Sequence, residues 1–305
     1  DVTKADYSYI LNHDVITELA LILALLTAAS LSACEKSDGR VKKGSMTFTN
    51  RNFPKICTDE LSKRHAAVLA GAALGERKDD FAVMGLEAGI ESLISGGCDI
   101  FIAAVPTEKE ALLSGNASLQ YGKISADALV FMTDAQTEVP TLDKNQIIAI
   151  LSGTLSNWSE AGGSDGEISV FDPPSGSLAE SVLRSYAGEV TGHAVMTRHI
   201  TTESGEYDGD LPFDGRKGSF GVAFYSYAAS RSATKNGDIR MIPIDGVAPG
   251  ADSISDGTYI PQCGIYVIRK SDIDAGSAAR VLYDWMLSDE AAAILSECGI
   301  PTPQK

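Results

Sequence analysis

The run Cys98-Asp99-Ile100-Phe101-Ile102-Ala103-Ala104-Val105, stopped by Pro106, reads as a short buried strand, because it is apolar on both faces and ends at a breaker. Before it, Gly85–Ile94 places Leu86, Ile90, Leu93 and Ile94 on one helical stripe. After it, Thr107–Leu113 restarts a helix, with Thr107 as N-cap and Glu110 in capping-box register. The same alternation recurs along the chain. Ala66–Leu74 is helical, Ala128–Met132 is a strand, and Thr141–Gln146 opens a helix that runs to Leu151 and stops at Ser152-Gly153. Strand Ile168–Phe171 leads through a Pro-Pro-Ser-Gly-Ser turn into helix Leu178–Tyr186. Strands follow at Ser219–Tyr225, Ile239–Ile244 and Tyr259–Arg269, then an amphipathic helix at Ala278–Leu287. A chain so patterned must be α/β, with mixed, mainly parallel sheets flanked by helices, and its ligands belong at strand ends beside helix N-termini.

Charge narrows the partners. The 305 residues carry 25 Lys and Arg against 41 Asp and Glu, a formal net charge of −16. That is the wrong sign for gripping nucleic acid through its phosphates. At this length, two lobes fit better than one core, since single cores stop growing near ~250–300 residues.

The segment Leu19–Ala33 is apolar and uncharged but shorter than the ~20 residues a spanning helix needs, so it reads as a signal-peptide core. Leu31-Ser32-Ala33-Cys34 resembles the lipobox of bacterial lipoproteins, which implies acylation of Cys34 and retention at the outer face of the membrane. The expected divisions are signal peptide over 1–34 and polar tether over 35–44.

The remaining cysteines, Cys57, Cys98, Cys263 and Cys298, permit two disulfides in an exported protein, or four buried thiols acting as small hydrophobes. None forms Cys-x-x-Cys, and the four histidines do not pair with acids at ligand spacing, so no metal or other cofactor is expected. No Gly-x-Ser-x-Gly elbow, dinucleotide fingerprint or P-loop occurs, so no catalytic residue is assigned. Ser175-Gly176-Ser177 offers hydroxyls, N–H groups and a helix dipole to an oxyanion, although Ser177 alone reads most simply as a cap. The aromatic group Phe220, Phe224, Tyr225 and Tyr227 reads as core, and Tyr207–Gly218 as a surface loop.

The stretch Ile124–Phe171, with its Ala-Leu-Val-Phe strand, Leu142-x-x-x-Gln146-Ile147 and Ser152-Gly153-x-Leu155-x-Asn157-Trp158, resembles the phosphate-binding proteins of bacterial ABC importers. Asn52–Ile56, Gly221–Tyr227, Ile244–Pro249, Tyr259–Lys270 and Ala279–Pro301 extend the likeness in order. The resemblance implies a two-lobed periplasmic-binding-protein fold of the second type, crossed twice by the chain near Ser125–Val130 and Tyr259–Val267. Residues 45–126 plus 259–305 would form lobe 1 and 127–258 lobe 2. It further implies hinge closure over a small anion, an ABC permease as membrane partner, no enzymatic activity, and ligand donors at Thr58, Ser175, Gly176 and Ser177. At the site the chain departs from the family: Cys57-Thr58-Asp59-Glu60 replaces a hydroxyl-rich turn, Val105 stands where an acid is usual, and Asp172 precedes the prolines where an Arg is common. The alternative expectation is a diverged, non-catalytic binding or sensory lipoprotein on the same fold that no longer holds phosphate.

Overall fold

The computed structural model describes residues 42–43, 46–171, 173, 176–188, 217–230 and 237–303. Cys34 and its apolar segment, Asp172, Ser175 and most of Tyr207–Gly218 lie outside the described residues.

A two-stranded ribbon, β1 (Lys42–Lys43) against β2 (Met46–Thr47), precedes the main sheet. The sheet is built from β3 (Ile56–Thr58), β4 (Ala82–Val83), β5 (Ile100–Val105), β6 (Leu119–Asp134), β7 (Ser169–Phe171), β8 (Ser219–Phe224), β9 (Ile239–Ile242) and β10 (Gln262–Lys270). Its order is β4-β3-β5-β10-β6-β8-β7, with β9 also paired to β6. Pairing is parallel where helical crossovers connect neighbours, at β3–β4, β3–β5 and β7–β8. It is antiparallel wherever β6 or β10 takes part, so parallel pairing covers less of the sheet than the strand-helix alternation suggests.

Strand β6 organises the molecule. From Leu119 to Ala128 it pairs with β10, and from Leu129 to Asp134 with β8 and β9. One unbroken strand therefore belongs to two sheet halves, and the change of partner falls at Ala128/Leu129. Beside it, the Leu129 N–H donates to the Pro261 carbonyl just before β10 begins. Both passages between the halves thus run side by side.

Among the described residues the helices, in chain order, are α1 (Lys63–Leu74), α2 (Leu86–Ser95), α3 (Glu110–Ser114), α4 (Lys144–Leu151), α5 (Leu178–Ala187), α6 (Tyr225–Ser230), α7 (Ala251–Ser255), α8 (Ala278–Met286) and α9 (Asp289–Glu297). Period-two alternation in β5 sends Ile100, Ile102 and Ala104 into one core with α1, α8 and α9. Phe101, Ala103 and Val105 enter a second core under α2 and α3. Being covered on both faces, the strand is apolar throughout, which is why it stood out in the sequence. Gly89 of α2 lies directly over Phe101, where a Cβ would meet the ring at 2.2 Å.

One local expectation changes. Thr107 does not cap a helix with its side chain: Pro106 takes the cap position at φ −60°, feeding a 3-10 turn over Thr107–Lys109 before α3 starts. Of the two readings open for Cys57, Cys98, Cys263 and Cys298, the thiol reading holds for three: Cys57, Cys98 and Cys263 are free and buried, whereas Cys298 is disulfide-bonded, and to none of these three. Cys57 and Cys98 lie in the smaller core and Cys263 in the larger. Burial pushes the Cys98 thiol up to about 12, aided by the neighbouring Cys57. These thiols pack as small hydrophobes.

Candidate functional site

A cleft of about 980 Å³ opens where the two sheet halves face each other. One side is lined by Asp59, Glu60, Lys63, Glu87 and Lys109, the other by Gly176, Ser177, Glu180, Arg184, Phe224 and Tyr227. The Tyr227 hydroxyl reaches across to the Glu60 carbonyl at 3.4 Å.

The first wall follows from how β3 ends. Thr58, the last strand residue, is fully buried, and its hydroxyl donates to the Asp59 carbonyl at 3.0 Å. Thr58 is therefore not brought to the cleft, because strand alternation turns it into the interior. Asp59, the next residue, faces the cleft instead. Its Oδ1 accepts the Ser62 N–H at 2.7 Å and its Oδ2 the Ala104 N–H at 2.6 Å. These are the donors at the mouth of α1 and the end of β5, at distances typical of charge-assisted bonds. Burial pushes Asp59 up from 3.8 to about 6, against the lowering effect of the hydrogen bonds from Ser62 and Ala104. Glu87, in the first turn of α2, pairs with Lys109 at 3.0 Å.

The second wall repeats this arrangement. Ser177 is the N-cap of α5, its Oγ accepting the Glu180 N–H at 3.1 Å. Gly176, held at φ +79°, gives its N–H to Glu180 Oε2, and Arg184 donates to Glu180 Oε1 at 2.7 Å. Gly176 and Ser177 line the cleft, but the Gly176 N–H and one acceptor lone pair of Ser177 Oγ are already used. The signal for Glu180 was present as a Ser-x-x-Glu capping register.

The mouths of α1 and α5 on this cleft therefore each carry a carboxylate of the chain itself, and Glu87 stands in the first turn of α2. Among the lining residues named above, Asp59, Glu60, Glu87 and Glu180 stand against Lys63, Lys109 and Arg184, with Lys109 and Arg184 already paired. A second anion about 4 Å from an ionised Asp59 would be repelled by about 4 kcal/mol per charge at an effective dielectric constant of ~20. Besides these pairs, the cleft wall presents the Ser177 O–H, the Lys63 ammonium, the Phe224 ring and carboxylate acceptors.

Behind the cleft, the crossing is tied by buried polar groups. Asp127 accepts N–H bonds from Ala128 at 2.8 Å and Ser226 at 3.3 Å, and the Ser226 hydroxyl at 2.5 Å. This links β6 to α6, at the root of the aromatic wall. His65 of α1 sits 3.0 Å from Ser125 Oγ, whose hydroxyl donates to the Pro301 carbonyl, and burial lowers its imidazole from 6.5 to about 3, so it is neutral. The Asn-Trp pair is structural. Asn157 Oδ1 accepts N–H bonds from Ser159 and Gly166, and the buried Trp158 donates its indole N–H to Gly218 at 3.1 Å. Among the described residues no group of three or more His, Cys, Asp or Glu could hold a metal, and no helix is long and apolar enough to cross a membrane.

Known proteins share this architecture. A family profile described as a PBP superfamily domain matches residues 80–290. The phosphate-binding protein PstS of Bacillus subtilis is 24% identical over 281 residues, covering 88% of this chain and 89% of that protein. A putative phosphate ABC transporter substrate-binding protein from Clostridium perfringens, solved with bound phosphate, superposes with a TM-score of 0.61 at 19% identity. That match covers 82% of this chain and 99% of the other. An ABC-type phosphate transport receptor from Vibrio cholerae superposes with a TM-score of 0.62 at 21% identity, over 81% and 99% of the two chains. With a mixed sheet of this order flanked by helices, and a family match over more than half its length, the chain belongs to the PBP superfamily.

Proposed function

We propose that this chain is the extracytoplasmic solute-binding protein of an ABC importer, a binding protein and not an enzyme. The observation that carries the reading is the cleft of about 980 Å³ walled by two sheet halves that share β6. Residues 45–126 with 259–305 act as one lobe and 127–258 as the other. Rotation about Ala128/Leu129 and the adjacent Pro261 would close them on a solute, and the closed form would be what the permease recognises. Acylation at Cys34 would keep the protein on the outer face of the membrane.

The relatives are named for phosphate, and a small oxyanion is the inherited expectation for the ligand, with Gly176, Ser177 and Ser175 as donors. A second reading of the ligand is favoured by a specific observation: the chain's own carboxylates occupy the N–H groups of Ser62, Ala104 and Gly176. A cleft so arranged has ceased to hold phosphate, and we adopt that reading. The test is small-angle X-ray scattering of the protein with phosphate, sulfate, amino acids and cationic solutes. A decrease in radius of gyration with a solute other than phosphate supports it; contraction with phosphate alone restores the inherited ligand, and a shape indifferent to every solute argues against a transport role.

A further inference from the structure

The two N–H groups that Asp59 accepts belong to different elements. Ser62 stands at the mouth of α1, while Ala104 lies in β5 and has no part in that helix. They converge on one point of the cleft wall, and the Asp59 carboxylate fills it with one oxygen on each donor, at 2.7 and 2.6 Å. The Ser62 hydroxyl is buried beside the same carboxylate. Two convergent backbone donors and a hydroxyl form the kind of cradle that suits an oxyanion. Each N–H has one proton to give, and both are given. Because the side chain is half-buried, it keeps a face open to the cleft. Swinging it aside would leave its charge next to any incoming anion.

We propose that Asp59 sets the charge class of the solute, its carboxylate standing in for a bound oxyanion so that the cleft rejects doubly charged oxyanions. The proposal rests on the reading of the cleft as the solute site. It makes Asp59 a specificity-determining residue, and it makes the rejection reversible by substitution: removing the carboxylate frees both donors without altering the backbone that carries them.

The test is calorimetric titration of the full chain with sulfate at pH 7.5 and low ionic strength, for the wild type, Asp59→Ser and Asp59→Asn. Circular dichroism melting confirms that each is folded. The expected result is a Kd for Asp59→Ser at least tenfold below that of the wild type, with Asp59→Asn between them. Should the Ser variant not fold, the isosteric Asn variant carries the comparison. A pH series adds a second readout, since sulfate stays doubly charged throughout. Wild-type affinity should rise as pH falls from 8 to 5 and Asp59 takes up a proton, and should rise less in Asp59→Asn. The cleft groups Glu60, Lys63, Glu87, Lys109, Glu180 and Arg184 are the same in both proteins and cancel in that comparison. Sub-micromolar sulfate binding by the wild type, or folded variants that bind sulfate no better than it does, would overturn the proposal. Sulfate gained by a variant is read whatever the natural solute is. Failure of the solute-binding reading would show separately, as a wild-type shape that no solute alters.

Discussion

Asp127→Asn isolates the energetic role of the acid at the crossing. Asp127 is buried in β6 where the strand passes between the two halves, and burial raises its carboxyl from 3.8 to about 6, opposed by the hydrogen bonds from Ser226 and Ala128. A group that holds its proton more tightly when folded stabilises the fold at low pH and loses that contribution as pH rises. The shift is about two units, and at ~1.4 kcal/mol per unit the loss is about 3 kcal/mol between pH ~4 and ~6.5. Asparagine keeps an acceptor for the Ser226 and Ala128 N–H groups but does not titrate. Urea denaturation of both proteins at pH 4, 5, 6 and 7 gives the difference in stability, wild type minus variant. That difference should fall by about 3 kcal/mol across the series. Subtraction removes the other shifted groups: Asp59, also raised to about 6, acts in the same direction, whereas His65, lowered to about 3, gains stability as pH rises. A difference that stays level, or increases with pH, would refute the assignment of a destabilising buried charge to the crossing.

Other substitutions probe the elements that present the cleft. Ser177→Ala removes the cap of α5 and should cost about 1 kcal/mol in urea denaturation, with little change in the shape of the native protein. Gly218→Ala should be far more damaging, about 3 kcal/mol, because the residue sits at φ +85° and its Cβ would lie 2.3 Å from the Glu167 carbonyl oxygen; a melting temperature equal to the wild type's would count against this. Cys57, Cys98 and Cys263 should resist iodoacetamide in the native protein and react in urea without any reductant, as mass spectrometry would show.

Much of the fold is visible in the residues because period and burial agree. Strand β5, helix α2 and helix α4 with its Asp143–Gln146 capping box fall where spacing places them. What spacing does not reveal is direction. An apolar run such as Ala128–Met132 looks the same whether its neighbours run with it or against it, so the antiparallel pairing of β6 and β10 had no local signature. The run also hid the full length of β6, because its first five residues, Leu119–Lys123, are mostly exposed and do not continue the apolar pattern. At the site, Gly176 and Ser177 were legible as a turn entering a helix. Thr58 was misplaced by a single residue of strand alternation, and that same step turned Asp59 toward the cleft. Which N–H groups the carboxylate would satisfy depends on Ala104, forty-five positions away, and no local pattern carries such a contact.

In the cleft, the chain's own carboxylates already take the backbone N–H groups of Ser62, Ala104 and Gly176. Calorimetric titration of the wild-type protein with inorganic phosphate, at pH 7.5 and low ionic strength, shows whether that arrangement leaves room for an anion. No more than heat of dilution is expected up to ~1 mM phosphate, a binding free energy weaker than about −4 kcal/mol. Saturable binding of one phosphate per chain with a sub-micromolar Kd would contradict it.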